Sequence, residues 1–237
     1  MLIFGHRGMP NQKIQENTFP SFIRALQAGA DGIEFDIHLS KDNQIIIGHD
    51  KELSRVAGTA QKIKNLTAKE LQQINLRGQG SILTLEKLIN QLPDDYLLDI
   101  EIKDKKTIQP LINKLQHSKK LRKRSIISSF KISFLQNIKK NLPQTKTILL
   151  FRAWPWYFIK KKLWQQIFEL QPWAIATRVN FLNKNRINWL HQHNILVGAY
   201  DDISRKKSTK KIIFKNLDIA ITFRPDLTRL YLKTKKN

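Results

Sequence analysis

The sequence predicts an α/β protein, a (β/α)8 barrel of the TIM type with a small insertion after the second strand. Three observations carry this. Apolar runs of strand length alternate with segments of helical spacing, the signature of a parallel α/β sheet. Eight such runs remain once a run that cannot lie parallel to its neighbour is set aside, and eight parallel strands close into a barrel. The chain has 237 residues, and one such barrel typically takes about 250. Residues 1–237 are therefore expected to form a single domain, with the insertion at about 40–83.

The elements follow in order. Residues 2–5 form a first strand that ends in Gly5-His6-Arg7-Gly8. Thr18 and Pro20 suit a helix start. Phe22, Ile23 and Leu26 share one face of a helix over 20–28 that stops at Gly29. The second strand, 31–37, alternates: Ile33, Phe35 and Ile37 point one way, Glu34 and Asp36 the other. Asp42-Asn43-Gln44 is a turn signal. The Ile45-Ile46-Ile47 run after it follows too closely for a parallel crossover and so closes an antiparallel hairpin, which folds His49 back towards the carboxylates.

The insertion holds a short helix at 67–75, capped by Thr67, and carries no chemistry assigned beyond His49. A helix from Thr84 leads to strand 96–103, where Asp99, Glu101 and Lys103 share a face. Helices at 107–117, 132–141, 160–170, 183–192 and 206–216 then separate strands at 125–130, 146–151, 173–177, 195–200 and 218–223. The runner-up, an open doubly wound sheet, lacks a glycine-rich nucleotide fingerprint.

In such a barrel the catalytic groups sit at the C-terminal ends of the strands. His6, Arg7, Glu34, Asp36, Glu101 and Lys103 all fall at or near predicted strand ends. Glu34 and Asp36 stand roughly 7 Å apart along their strand, close enough for both side chains to reach one cation. With Glu101 they can hold one divalent cation, Mg²⁺ or Ca²⁺, and leave positions open for water or substrate. Arg7 and Lys103 can neutralise a phosphate. His6 and His49 can serve as general acid and general base. A cation, two basic side chains and two imidazoles suit phosphodiester cleavage.

These residues resemble the glycerophosphodiester phosphodiesterase family. The likeness rests on His6-Arg7-Gly8, Glu16-Asn17-Thr18, Gly29-Ala30-Asp31 with Glu34-Phe35-Asp36, Lys41-Asp42, His49-Asp50 with Leu53 and Arg55, and Ile100-Glu101-Ile102-Lys103. Ser128-Ser129-Phe130 and Arg224-Pro225-Asp226-Leu227 add weaker matches. The resemblance implies a (β/α)8 barrel with a small insertion. It implies hydrolysis of glycerophosphodiesters to an alcohol and glycerol 3-phosphate with Mg²⁺ or Ca²⁺. By the same resemblance His6 and His49 are the acid–base pair, Glu34, Asp36 and Glu101 the metal ligands, and Arg7 and Lys103 the phosphate contacts. Two strand ends depart from the family pattern. Ala199-Tyr200-Asp201-Asp202 stands in place of a Trp-Thr-Val-Asn-like end, and Thr222-Phe223-Arg224-Pro225 in place of Thr-Asp-x-Pro. Both are expected to line the pocket away from the metal.

Composition bounds the alternatives. There are no cysteines, which excludes a disulfide framework and a thiolate site. Net charge is +23, from 42 Lys plus Arg against 19 Asp plus Glu. That favours anionic partners, including peripheral contact with an anionic membrane, although a lysine-rich solvated surface reads the same way. No zinc-finger, RNA-recognition or KH pattern accompanies the basic runs, so nucleic acid is not an expected partner. A lysophospholipase D-like enzyme acting on lipid diesters and a non-catalytic basic binder of anionic membrane or nucleic acid are the competing functions. The first residues lack a basic leader and no apolar run approaches the roughly 18 residues of a membrane span, so a cytoplasmic protein is expected. Glu16 either supports the histidines or belongs to a capping turn. His38, placed past the strand end, is expected to be solvated. Trp154-Pro155-Trp156-Tyr157-Phe158 is expected to pack over the barrel rim, with a lipid-interface role as the competing reading.

Overall fold

The computed structural model describes residues 1–154, 161–200 and 217–234. In chain order it contains β1 (Leu2–His6), α1 (Phe19–Gln27), β2 (Gly32–Leu39), β3 (Ile45–Ile47), α2 (Ser54–Ala57), α3 (Ala68–Gln72), β4 (Leu83–Thr84), α4 (Leu85–Gln91), β5 (Leu97–Ile102), α5 (Ile108–His117), α6 (Lys119–Arg124), β6 (Ser125–Ser129), α7 (Ile132–Asn141), β7 (Lys146–Phe151), α8 (Lys161–Leu170), β8 (Ala174–Arg178), α9 (Lys184–Gln192), β9 (Leu196–Tyr200), β10 (Ile219–Thr222) and α10 (Pro225–Thr234).

Eight strands pair in parallel around a closed ring: β1, β2, β5, β6, β7, β8, β9 and β10, with β10 returning to β1. Closure pairs Phe4 with Ile221 on one side and His6 with Glu34 on the other. The inside of the barrel is filled by alternate residues of the strands, among them Phe4, Ile126, Ile148, Leu150, Ala174, Ala176, Ile219 and Ile221. A larger apolar cluster lies between the strands and the surrounding helices, with Phe22, Ile33, Phe35, Leu111 and Trp164 among its fully buried members. Gly32 cannot be replaced, because a Cβ there would stand 2.4 Å from the carbonyl oxygen of Leu97 on the neighbouring strand.

β3 runs antiparallel to β2 and β4 antiparallel to β3, both outside the ring. They open the insertion, which has its own small core of Ile46, Leu53, Ile63, Ala68, Leu71 and Ile82. Its helix α3 is closed by a reciprocal cap. The Thr67 hydroxyl accepts from the Glu70 backbone N–H at 3.2 Å, and the Glu70 carboxylate accepts from the Thr67 backbone N–H at 2.7 Å.

Four elements were not expected: the short helix α2 of the insertion, β4, α6 and the closing helix α10. The two-residue β4 is too short to show alternation. The Lys-Lys-Leu-Arg-Lys-Arg run of α6 reads as surface charge, yet Leu121 is buried and Ser118 caps the helix by accepting from the Leu121 N–H. The expected basic helix at 206–216 lies outside the described residues. Among the described residues, no helix is long and apolar enough to cross a membrane.

Candidate active site

The C-terminal ends of β1, β2 and β5 bring together His6, Arg7, Glu34, Asp36, Glu101 and Lys103, and the hairpin returns His49 to the same cavity of about 130 Å³. Register sets the arrangement: His6 lies beside Glu34, and Asp36 beside Glu101. Glu34, Asp36 and Glu101 each offer a carboxylate oxygen, and these oxygens lie within 4.8 Å of one another. All three side chains are buried.

The turn after β1 is built around a left-handed residue. Arg7 has φ of 55° and Gly8 of 83°, and a Cβ on Gly8 would meet Ser21 at 2.5 Å. This turn lets the Arg7 backbone N–H donate to the Glu34 carboxylate at 3.0 Å. The Arg7 guanidinium reaches Asp36 at 3.6 Å and Glu16 at 3.1 Å. Lys103 Nζ lies 3.2 Å from Asp36 and 3.0 Å from Glu101.

Burial and mutual repulsion divide the carboxylates. Burial, together with Asp36, pushes Glu101 up to about 8. Burial and the neighbouring Asp36, Asp99 and Glu101 hold Glu34 well above the usual carboxylate range. Burial would raise Asp36 too, but Lys103 and Arg7 outweigh it and hold Asp36 low. Three buried hard oxygen donors, two of them unable to ionise comfortably together, fit a divalent cation that would relieve that repulsion. Burial and the adjacent Arg7 lower His6 to about 3, so its imidazole is neutral at pH 7.

His49 is held from two sides. Its Nδ1 lies 2.6 Å from Asp50, and its backbone carbonyl lies 3.1 Å from His38 Nε2. Asp50 accepts from Arg55 at 2.7 Å, and Arg55 also donates twice to Glu16. Glu16 therefore supports His49 indirectly and is not only part of a turn. It ties Arg7 to Arg55, which in turn holds Asp50.

Several expectations change here. His38 is buried, 4% exposed, and not solvated. The second strand continues to Leu39 because His38 pairs with Ile46 across the hairpin. Phe223 does not stand away from the carboxylates, since its ring stacks on His6, which is 3.8 Å from Glu34. The insertion supplies Asp50 and Arg55 as well as His49. Trp154 is half-buried and tilts against Trp164 with centroids 5.9 Å apart, as a rim-packed residue does. The rest of that aromatic stretch, from Pro155, lies outside the described residues. Asn17, which donates to Asp36 at 3.4 Å, and Asp99, wholly buried one step below Glu101, were not singled out. For Asp99 the signal was present, because it shares the face of Glu101.

The sequence pattern of the glycerophosphoryl diester phosphodiesterase family matches residues 6–212. The chain belongs to this family. It is thereby placed among phosphoric diester hydrolases. A glycerophosphodiester phosphodiesterase of Caldanaerobacter subterraneus subsp. tengcongensis is 28% identical over 247 aligned positions, spanning 95% of this chain and 95% of that one. Among solved structures, the glycerophosphodiester phosphodiesterase of Thermotoga maritima superposes with a TM-score of 0.80 at 26% identity, over 99% of this chain and 98% of that one. An Oleispira antarctica phosphodiesterase, solved in complex with the product sn-glycerol-3-phosphate, shares the fold at a TM-score of 0.84 and 22% identity, over 98% of this chain and 97% of that one.

Proposed function

We propose that the protein hydrolyses glycerophosphodiesters to an alcohol and sn-glycerol 3-phosphate. The observation that carries this reading is the buried grouping of Glu34, Asp36 and Glu101 beside two cationic and two imidazole side chains, in a chain of this family. Glu34, Asp36 and Glu101 would hold one Mg²⁺ or Ca²⁺, which when bound supplies a Lewis acid for a phosphoryl oxygen.

The chain's own groups do the rest. Arg7 and Lys103, each anchored on Asp36, face the phosphate and offset the charge that develops on its oxygens. His6, neutral at pH 7 and stacked on Phe223, takes a proton from the attacking water as its oxygen bonds to phosphorus. Asp50 sits on Nδ1 of His49 and leaves Nε2 to give a proton to the leaving alcohol oxygen as its bond to phosphorus breaks.

Phosphorus NMR of the products tests which bond is cut. The expected products from glycerophosphocholine and glycerophosphoinositol are glycerol 3-phosphate and the free head group. Glycerol with a phosphorylated head group would contradict the reading.

A further inference from the structure

The inward-facing residues at the C-terminal ends of the strands divide the cavity into two unlike halves. Period-two alternation fixes which residues face in. Ala174 and Ala176 of β8 fill the barrel, so Arg178 follows on the same face; Ile148 and Leu150 of β7 do the same, so Arg152 follows. Both arginines line the cavity that holds His6, Glu34 and Lys103. In the ring order, β7 lies four strands from β1 in either direction, and β8 four from β2. Arg152 therefore stands across the barrel from His6 and Arg7, and Arg178 across from Glu34 and Asp36.

Neither guanidinium is needed by the mechanism above, and neither has a carboxylate partner among the described residues. Elsewhere in the cavity the basic groups are committed: Arg7 to Glu16 and Asp36, Lys103 to Asp36 and Glu101. Arg152 rests on the face of Phe130, 5.1 Å from its centroid, which steadies the group without neutralising it. Tyr200, between these strands and β10, spends its hydroxyl proton on the Phe151 carbonyl at 2.7 Å.

We infer that Arg152 and Arg178 form a second anion subsite, and that the substrate's alcohol carries a phosphate group of its own. The inference rests on the glycerophosphodiester reading. The scissile phosphate sits at Arg7 and Lys103, the glycerol arm is neutral, and only the head group can bring a second anion across the barrel. Paired guanidinium groups suit a phosphate dianion by geometry as well as charge.

The test uses a matched pair, glycerophosphoinositol and glycerophosphoinositol 4-phosphate, which differ by one phosphate. Binding is measured by calorimetry in EDTA, and release of glycerol 3-phosphate after Mg²⁺ is restored. The 4-phosphate is expected to bind at least about tenfold more tightly and to show a similar advantage in kcat/KM. In R152Q/R178Q the ratio between the two ligands should fall close to one. A control variant, K119Q/K123Q, removes the same charge from α6, at the opposite end of the barrel, and should keep the ratio. Equal binding of the two ligands by the unaltered protein, or an equal loss in the control, overturns the subsite. If the binding preference holds while no metal yields glycerol 3-phosphate, the subsite stands and the hydrolase reading fails. If both substrates turn over equally and bind equally, the hydrolase stands and the subsite fails.

Discussion

The ring of Phe223 lies against the ring of His6, with centroids 4.4 Å apart and planes inclined by 22°. The contact joins the last strand of the barrel to the first, and it shuts one face of the imidazole away from water. Burial is the largest influence holding His6 at about 3. In Phe223→Ala that burial is relieved, and the affinity of His6 for a proton rises towards its ordinary value of about 6.5. The unprotonated form is the one that accepts a proton, so the acid limb of kcat/KM should move to higher pH. The variant is expected to keep most of its activity at pH 8 and lose it by pH 5.5. A pH profile of both proteins checks this, and superimposable acid limbs would refute it.

Glu34, Asp36 and Glu101 should act as a unit. Glu34→Gln or Glu101→Gln should lower kcat by about 10²–10³-fold or more and abolish calorimetric binding of Mg²⁺. The fold should survive, because each change keeps the shape of a carboxyl whose charge burial already disfavours. Circular dichroism and calorimetry on the same samples separate loss of the site from loss of the protein.

The raised carboxylates give the metal-free protein a characteristic pH dependence. Glu101 titrates at about 8 in the folded chain against an ordinary 4.5, so between these values the folded state binds more protons than the unfolded one. Stability must then fall as pH rises through that window. In EDTA the Tm should decline from pH 5 to pH 9, and Mg²⁺ should restore it most at the alkaline end. Cation binding displaces a proton, so the apparent affinity should strengthen up to about pH 8. Glu101→Gln should flatten the metal-free decline. A Tm that rises with pH in EDTA would contradict this.

Asp50 holds the imidazole of His49 from behind and is itself held by Arg55. Asp50→Asn should lower kcat by about 10²-fold or more, the usual reach of one acid–base group, with KM little changed. Arg55→Lys should do less, since an ammonium can still pair with Asp50 but cannot reach Glu16 with the same fork. Steady-state kinetics on glycerophosphocholine separates the two.

What could be read in the chain follows from how far its causes reach. Glu34 with Asp36, and Asp99, Glu101 and Lys103, declare a shared face because strand alternation is a local rule. The barrel is legible for the same reason, as a count of local runs. His38 was misplaced because its burial depends on pairing with Ile46 across the hairpin. The link from Arg7 through Glu16 to Arg55 spans the insertion and leaves no local periodicity. The stacking of Phe223 on His6 depends on closure of β10 against β1, a contact between the two ends of the chain. Arg152 and Arg178 carry the right parity, but among scattered basic residues only the ring order places them opposite the acidic strands.

The most direct measurement is release of glycerol 3-phosphate from a panel of glycerophosphocholine, glycerophosphoethanolamine and glycerophosphoinositol, first in EDTA and then with Mg²⁺ or Ca²⁺ restored. Release that is absent in EDTA, returns with the cation and is lost in Glu34→Gln is the predicted result. No release from any member with either cation, or release undiminished by EDTA, would contradict a metal-dependent glycerophosphodiesterase at this site.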